Sequence, residues 1–120
     1  MTELLRVDLP DQLCVGAGDV QLRFTHSTVS LWSTIGVSTR NDALVRPYTF
    51  DGVALLLPLL NGEVTAVDID ASGGLSFALS GARIRCGSDP EYEAWSYDGR
   101  HGGKVVCMPG GDLAIWNAGN

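Results

Sequence analysis

Two pairs of carboxylates come nearest to catalytic chemistry in this 120-residue sequence. Asp68 and Asp70 lie two positions apart in a stretch with a strand-like pattern, and so do Glu91 and Glu93. Residues two apart on a strand project from the same face. A glycosidase uses such a pair, with one carboxyl group in an apolar pocket that raises its pKa. The sequence marks no such pocket, so we expect solvated acidic surfaces that face a partner.

Nucleophiles and metal ligands are few and scattered. The two histidines, His26 and His101, and the three cysteines would have to be brought together from distant strands to form a zinc site or a Cys–His pair. Motifs of serine hydrolases, P-loop proteins and zinc proteases do not occur. We therefore predict no enzyme activity, no cofactor and no metal. The cysteines are expected to be reduced, with buried small-residue roles the default; they are Cys14, Cys86 and Cys107.

The C-terminal stretch "DPEYEAWSYDGRHGGKVVCMPGGDLAIW", residues 89–116, combines aromatic side chains with acidic ones. Aromatic platforms for single-stranded nucleic acid need a basic frame, which this stretch lacks. Carboxylates that steer a basic protein and aromatic side chains that hold it are the better interpretation. Trp95 is either such an anchor or part of the core. The predicted contact residues are Glu91, Glu93 and Asp98, then Asp68 and Asp70, with Trp32 or Trp95 as anchor.

Composition narrows the class of partner. The net charge of −6 and the isoelectric point near 4.6 disfavour nucleic acid and anionic lipid, and they favour a basic protein. The longest apolar run, residues 53–60, contains Pro58 and is far shorter than the roughly 20 residues that span a bilayer. The first ten residues lack the features of a signal peptide. We expect a cytoplasmic protein with no membrane contact, either a monomer or a weak dimer.

Apolar residues alternate with polar ones along most of the chain. The pattern predicts a meander of three antiparallel strands in "VTAVDIDASGGLSFALSGARIRC", residues 64–86, and a hairpin in "DVQLRFTHSTVSLW", residues 19–32. Further strands are predicted at 35–38, 91–97, 104–108 and 113–116, and one short helix from Asp51 or Gly52 to Leu60. Residues 33–47 form a weakly patterned connection of a length that is uncommon without a function.

These elements predict a single β-rich domain over residues 1–120, mainly β (α+β). The expected architecture is an antiparallel meander or curved sheet with one short helix.

Two segments carry a family resemblance: "DPEYEAW" at Asp89–Trp95 and "PGGDLAIW" at Pro109–Trp116. They resemble the C-terminal signature of a family of small bacterial proteins of unknown function. The resemblance implies a compact β-rich fold without an assigned enzyme activity. Small acidic domains of this kind also look like immunity proteins of contact-dependent inhibition and other polymorphic toxin systems. On that analogy we expect a non-enzymatic immunity protein that binds a cognate basic toxin domain and occludes its active site.

Two other functions stay open from the residues. One is a small-molecule-binding or hydrolase-like β-domain that uses Asp68, Asp70 or His101 in a sheet-lined pocket. The other is a structural or regulatory subunit that pairs through an exposed strand, because an open meander has edges that must be covered or blunted.

Overall fold

The computed structural model describes residues 10–37, 44–61, 64–79, 81–99 and 102–116. These residues form ten strands, one α-helix and two short 3-10 turns. In chain order the elements are β1 (Pro10–Val15), β2 (Val20–Phe24), β3 (Ser27–Leu31), β4 (Ile35–Val37), α1 (Phe50–Leu56), the 3-10 turn Leu57–Asn61, β5 (Ala66–Ile69), β6 (Leu75–Leu79), β7 (Ala82–Cys86), β8 (Trp95–Gly99), β9 (Lys104–Cys107), the 3-10 turn Pro109–Gly111 and β10 (Leu113–Trp116).

The strands divide into two antiparallel sheets. The six-stranded sheet has the order β1-β2-β3-β8-β9-β10, and the four-stranded sheet has the order β4-β7-β6-β5. Between β3 and β4 the chain leaves the first sheet for the second, and between β7 and β8 it returns. The two connections therefore lie where the sheets meet.

The facing sides of the two sheets share one hydrophobic core. Side chains alternate along a strand, so each strand contributes every second residue to this face. Leu56 and Leu59, from α1 and the following 3-10 turn, complete it. The core residues with no solvent exposure are Val20, Leu22, Leu31, Ile35, Leu56, Leu59, Leu75, Ala94, Trp95 and Cys107.

The helix begins at a polar cap and ends two residues before a proline. The backbone N–H of Gly52 donates to Thr49 Oγ1 at 3.1 Å, which satisfies an N–H that the first turn leaves unpaired. Pro58 lies beyond the helix in the 3-10 turn, where its missing N–H breaks no α-helical bond. The short helix predicted from Asp51 or Gly52 to Leu60 is therefore an α-helix of seven residues followed by a 3-10 turn.

The mainly β fold with one short helix is confirmed, and so are the meander and the first hairpin. The strand predicted at 91–97 is wrong in its first half, because β8 begins only at Trp95. The carboxylate of Asp89 accepts the backbone N–H groups of Glu91 and Tyr92 at 2.8 and 3.1 Å, and this side-chain turn replaces strand pairing. The strand predicted at 35–38 is present as β4, and its last position lies outside the described residues.

Two turns from different sheets meet over Trp95. The indole N–H of Trp95 donates to the carbonyl oxygen of Gly73 at 2.8 Å. Gly73 belongs to the turn between β5 and β6, and its backbone packs directly on Gly111 of the turn between β9 and β10. We call this arrangement the turn contact. Trp95 has no solvent exposure, so the prediction of Trp95 as a partner anchor is wrong.

Gly111→Ala and Gly110→Ala together test the turn contact. Both glycines have positive φ, +99° and +88°, so alanine costs about 1 kcal/mol at either position. A Cβ on Gly111 would also clash with the carbonyl oxygen of Ser72, whereas nothing lies within 4 Å of a Cβ on Gly110. In urea denaturation we expect Gly111→Ala to lower the free energy of unfolding by about 1–3 kcal/mol more than Gly110→Ala. Equal losses would show that the two turns do not pack tightly.

Candidate functional site

An open groove of about 540 Å³ lies where the two sheets meet. Four connecting segments line it: the loop before β2, the connection from β3 to β4, the segment before α1, and the connection from β7 to β8. The lining residues are Gly18, Trp32, Ser33, Arg46, Tyr48, Asp89, Tyr92 and Glu93. Three aromatic rings, two carboxylates and one guanidinium group thus surround one space.

The first wall is Trp32, directly after β3. The backbone N–H groups of Trp32 and Ser33 both donate to the carbonyl oxygen of Ala94, at 2.9 and 3.0 Å. These bonds continue the pairing of Leu31 with Trp95 for two residues beyond the strand. These bonds hold the backbone of Trp32 in place, and its side chain is half-buried at the groove.

The second wall is the turn from Asp89 to Glu93. The carboxylate of Asp89 stabilises this turn, because it accepts the N–H groups of Glu91 and Tyr92 as described above. The carbonyl oxygen of Asp89 also accepts the N–H of Gly110 at 2.8 Å, which ties this wall to the turn contact. Tyr92 is held with 69% of its surface exposed, so its ring is offered to solvent rather than to the core.

The third wall is the segment from Arg46 to Tyr48. Backbone bonds of 2.8 and 3.0 Å join Val45 to Ile35, and Thr49 Oγ1 donates to the carbonyl oxygen of Arg46 at 2.7 Å. The same Thr49 caps α1, so the helix and the wall are fixed together. Arg46 reaches across the groove and donates from Nη1 to the carbonyl oxygen of Trp32 at 3.4 Å.

The charge at this groove is negative and is not neutralised by ion pairing. Asp89 and Glu93 outnumber Arg46 in the lining, and Glu91 stands exposed on the same turn. Within the part of the chain that the structure describes, no ion pair joins Glu91 or Glu93 to a basic side chain. Exposed carboxylates next to aromatic faces attract cations such as a guanidinium or ammonium group.

The predicted contact residues separate into two sets. Trp32 and Glu93 line the groove, and Glu91 lies beside it. The three aspartates lie outside the lining, and each has a basic partner. The ion pairs are Asp68–Arg83 at 3.4 Å, Asp70–Arg85 at 2.7 Å and Asp98–Lys104 at 3.5 Å. These three carboxylates contribute to the surface as neutralised pairs, which weakens their role in attracting a partner.

Asp70 organises the turn between β5 and β6. Its Oδ1 accepts from the backbone N–H groups of Ser72 and Gly74, both at 3.0 Å, and from the hydroxyl of Ser72 at 2.7 Å. Its Oδ2 accepts from Arg85 Nε at 2.7 Å. The Arg85 guanidinium and the Ser72 hydroxyl hold the pKa of Asp70 well below its ordinary value. A carboxylate held in this way stabilises the turn contact and is not suited to act as a general acid.

Sequence reasoning missed Arg46 and Tyr48 as lining residues. Arg46 lies in the weakly patterned connection 33–47 and Tyr48 directly follows it. Both ends of this connection reach the groove, while residues 38–43 lie outside the described part of the chain. No spacing in the sequence indicates that Arg46 bonds to a carbonyl fourteen residues earlier. Arg46 and Tyr48 line the groove because the backbone bridge between Val45 and Ile35 holds their segment beside it.

The three thiols are free, and two of them are buried. Burial raises the pKa of Cys86 to about 12 and also raises that of Cys107, so both are protonated at neutral pH and poor nucleophiles. Among the described residues, no three His, Cys, Asp or Glu side chains are placed to hold a metal ion. His101, a candidate for the hydrolase alternative, lies outside those residues.

Residues 2–117 match the model of a family of unknown function. The match covers almost the whole chain and is consistent with the expectation of an uncharacterised family. No curated protein and no solved structure matches the chain. None of the helices in the described residues is long and apolar enough to cross a membrane.

Asp70→Asn tests the structural role of this carboxylate. The folded-state pKa lies below the ordinary 3.8, so the charged form stabilises the fold above pH 3.8 and this contribution is lost as the pH falls below it. We expect the variant to be less stable at neutral pH and to lose less stability on acidification, as measured by urea denaturation across this range. Asp112→Asn, an exposed carboxylate without an ion pair in the described residues, is the control. Parallel acid curves for wild type and Asp70→Asn would contradict the assignment.

Proposed function

Since the chain belongs to DUF6188, a family of unknown function, we propose its role from the groove: a non-enzymatic protein that binds a basic partner protein. The observation that carries the proposal is the combination, in one groove, of aromatic rings that are partly or largely exposed and carboxylates that form no ion pair within the described residues. Interfaces that hold a partner concentrate their binding energy in aromatic anchors, and complementary charge raises the rate of encounter. Trp32, Tyr92 and Glu93 supply both properties within one space.

The groove suits one or two side chains of the partner rather than a whole domain. Its volume of about 540 Å³ lies within the range of sites that hold a small group. An arginine or lysine side chain can stack on Trp32 or Tyr92 while its charge meets Glu93. The exposed Tyr92 and Glu91 would extend the contact beyond the groove.

We further propose that the partner is a toxin domain and that this protein is its cytoplasmic immunity protein. A basic toxin cleft that accepts phosphate would be complementary to the carboxylates at 89–93, and their binding would occlude it. The support is the acidic groove, the net charge of −6 and the small size of the chain. The likeness to immunity proteins is one of size, charge and fold class.

A small zwitterionic ligand is the second candidate. Arg46 places one cation in the same lining as Asp89 and Glu93, an arrangement that matches a molecule with both charges. A thermal-shift screen with such ligands separates the two functions. A large stabilisation by a small ligand in the absence of any protein partner would favour this candidate.

Association with the product of the adjacent gene tests the proposal. We expect the two proteins to co-purify, and neutralisation with Glu91→Gln and Glu93→Gln together to lower the association rate constant by roughly tenfold at low salt. Asp11→Asn with Asp112→Asn is the matched control, since it removes the same charge outside the groove lining. Trp32→Ala is expected to raise the dissociation rate by roughly thirtyfold, the effect of a 2 kcal/mol anchor.

The comparison of the two double variants decides whether the groove is the binding surface. Equal rates for the two double variants would show that only the net charge matters and that the groove is not the contact. A toxin that kills cells in spite of co-expression would contradict the immunity function while leaving partner binding open to the rate measurements.

A further inference from the structure

The four edges of the two sheets differ in how they are protected. An unprotected edge strand offers free N–H and C=O groups to another chain. The β1 edge carries Pro10, Asp11 and a shift of register next to them, and the β5 edge carries Asp68. The β4 edge is only three residues long and is bridged by Val45.

The remaining edge, β10, has none of these protections. Its residues, Leu113–Trp116, include no charge and no proline, and their pairing with β9 is regular. Within the described residues no strand pairs with its outer side. Ile115 is 48% exposed and Trp116 is 53% exposed. Because neighbouring residues on a strand point to opposite faces, apolar surface is exposed on both sides of this edge.

The free backbone groups on β10 follow from its pairing with β9. The N–H of Met108 donates to the carbonyl oxygen of Asp112 at 2.7 Å. Hydrogen-bonded and non-bonded pairs alternate along antiparallel strands. The N–H and C=O groups of Leu113 and Ile115 therefore point away from β9, toward the open side.

We propose that β10 pairs antiparallel with β10 of a second copy of this chain, which joins the two six-stranded sheets into one. A two-fold axis through Ile115 sets Ile115 opposite its own copy and exchanges two hydrogen bonds between them. It also sets each Trp116 opposite the small Ala114. Moving the axis to Ala114 would set Trp116 opposite Asp112, so the first register is the one that keeps charge out of the contact.

The self-complementary register makes a second copy the occupant, whereas charge and size make the dimer weak. Two copies with a net charge of −6 repel each other. Of the two edge strands without a carboxylate, β4 and β10, only β10 has no bridge to another segment on its outer side within the described residues. A four-residue strand buries less than the about 1,200 Å² of a standard interface. A partner recruited by its basic charge would not select an uncharged strand, so this edge is separate from the groove and does not depend on the function proposed for it.

Sedimentation of the whole chain across a wide range of concentration tests the dimer. Wild type is expected to shift from 12.7 kDa toward twice that mass as concentration rises. Ile115→Lys should abolish the shift, because a lysine at the axis meets its own copy. Val15→Lys is the matched control: Val15 is 54% exposed on the opposite edge of the same sheet and should leave the shift unchanged.

Amide chemical shifts of wild type on dilution give a second readout that needs no variant. The N–H signals of Leu113 and Ile115 should move with concentration, and that of Val15 should not. A wild type that stays at 12.7 kDa with constant shifts at every concentration would overturn the proposal. Association that Val15→Lys abolishes and Ile115→Lys preserves would overturn it in favour of the β1 edge.

Discussion

The close contact between Gly73 and Gly111 is the constraint on which the rest of the structure depends. It lets two turns from different sheets touch backbone to backbone. The indole N–H of Trp95, in the six-stranded sheet, donates to the carbonyl oxygen of Gly73 at 2.8 Å and so holds the turn of the other sheet in place. A side chain on either glycine would clash with the backbone of the facing turn, at a cost of about 1–3 kcal/mol. The sheets are thus held in one orientation at the end where the groove opens.

The shape of the groove depends on the turn contact. Gly110, next to Gly111, donates to Asp89, and Asp89 in turn holds the backbone of Tyr92. Ala94, at the end of the same turn, accepts from Trp32 on the facing wall. The segments "DPEYEAW" and "PGGDLAIW" are therefore coupled because one positions the other. The glycines of these segments and Asp89 hold the backbone in place, whereas the side chains of Tyr92 and Glu93 line the groove.

Carboxylates in this protein perform two different tasks. Asp70 stabilises a turn, since Arg85 and Ser72 neutralise or bond both of its oxygens. Glu91 and Glu93 have no such partner in the described residues and remain free to attract a cation. A protein with this division can keep exposed carboxylates at the groove without losing the local pairing that holds its sheets.

Much of the fold could be predicted because alternation along a strand depends only on neighbouring residues. The hairpin of β2 and β3 and the meander from β5 to β7 follow from that pattern. The strand predicted at 91–97 failed because the side chain of Asp89 competes for backbone N–H groups. Groove membership depends on contacts between distant residues, such as Arg46 with Trp32, and local patterns carry no information about them. Trp95 had two open interpretations for the same reason, since its acceptor lies twenty-two residues away.

Amide hydrogen exchange of the chain, alone and mixed with the product of the adjacent gene, tests most directly whether the groove is the contact with a basic partner. Protection on mixing is predicted for the amides of the three walls: Trp32 and Ser33, Arg46 and Tyr48, and Tyr92 and Glu93. Little change is predicted on the outer face of the four-stranded sheet at Arg83 and Arg85. Protection confined to that outer face, or no protection in a mixture that co-purifies, would contradict the assignment of the groove as the binding site.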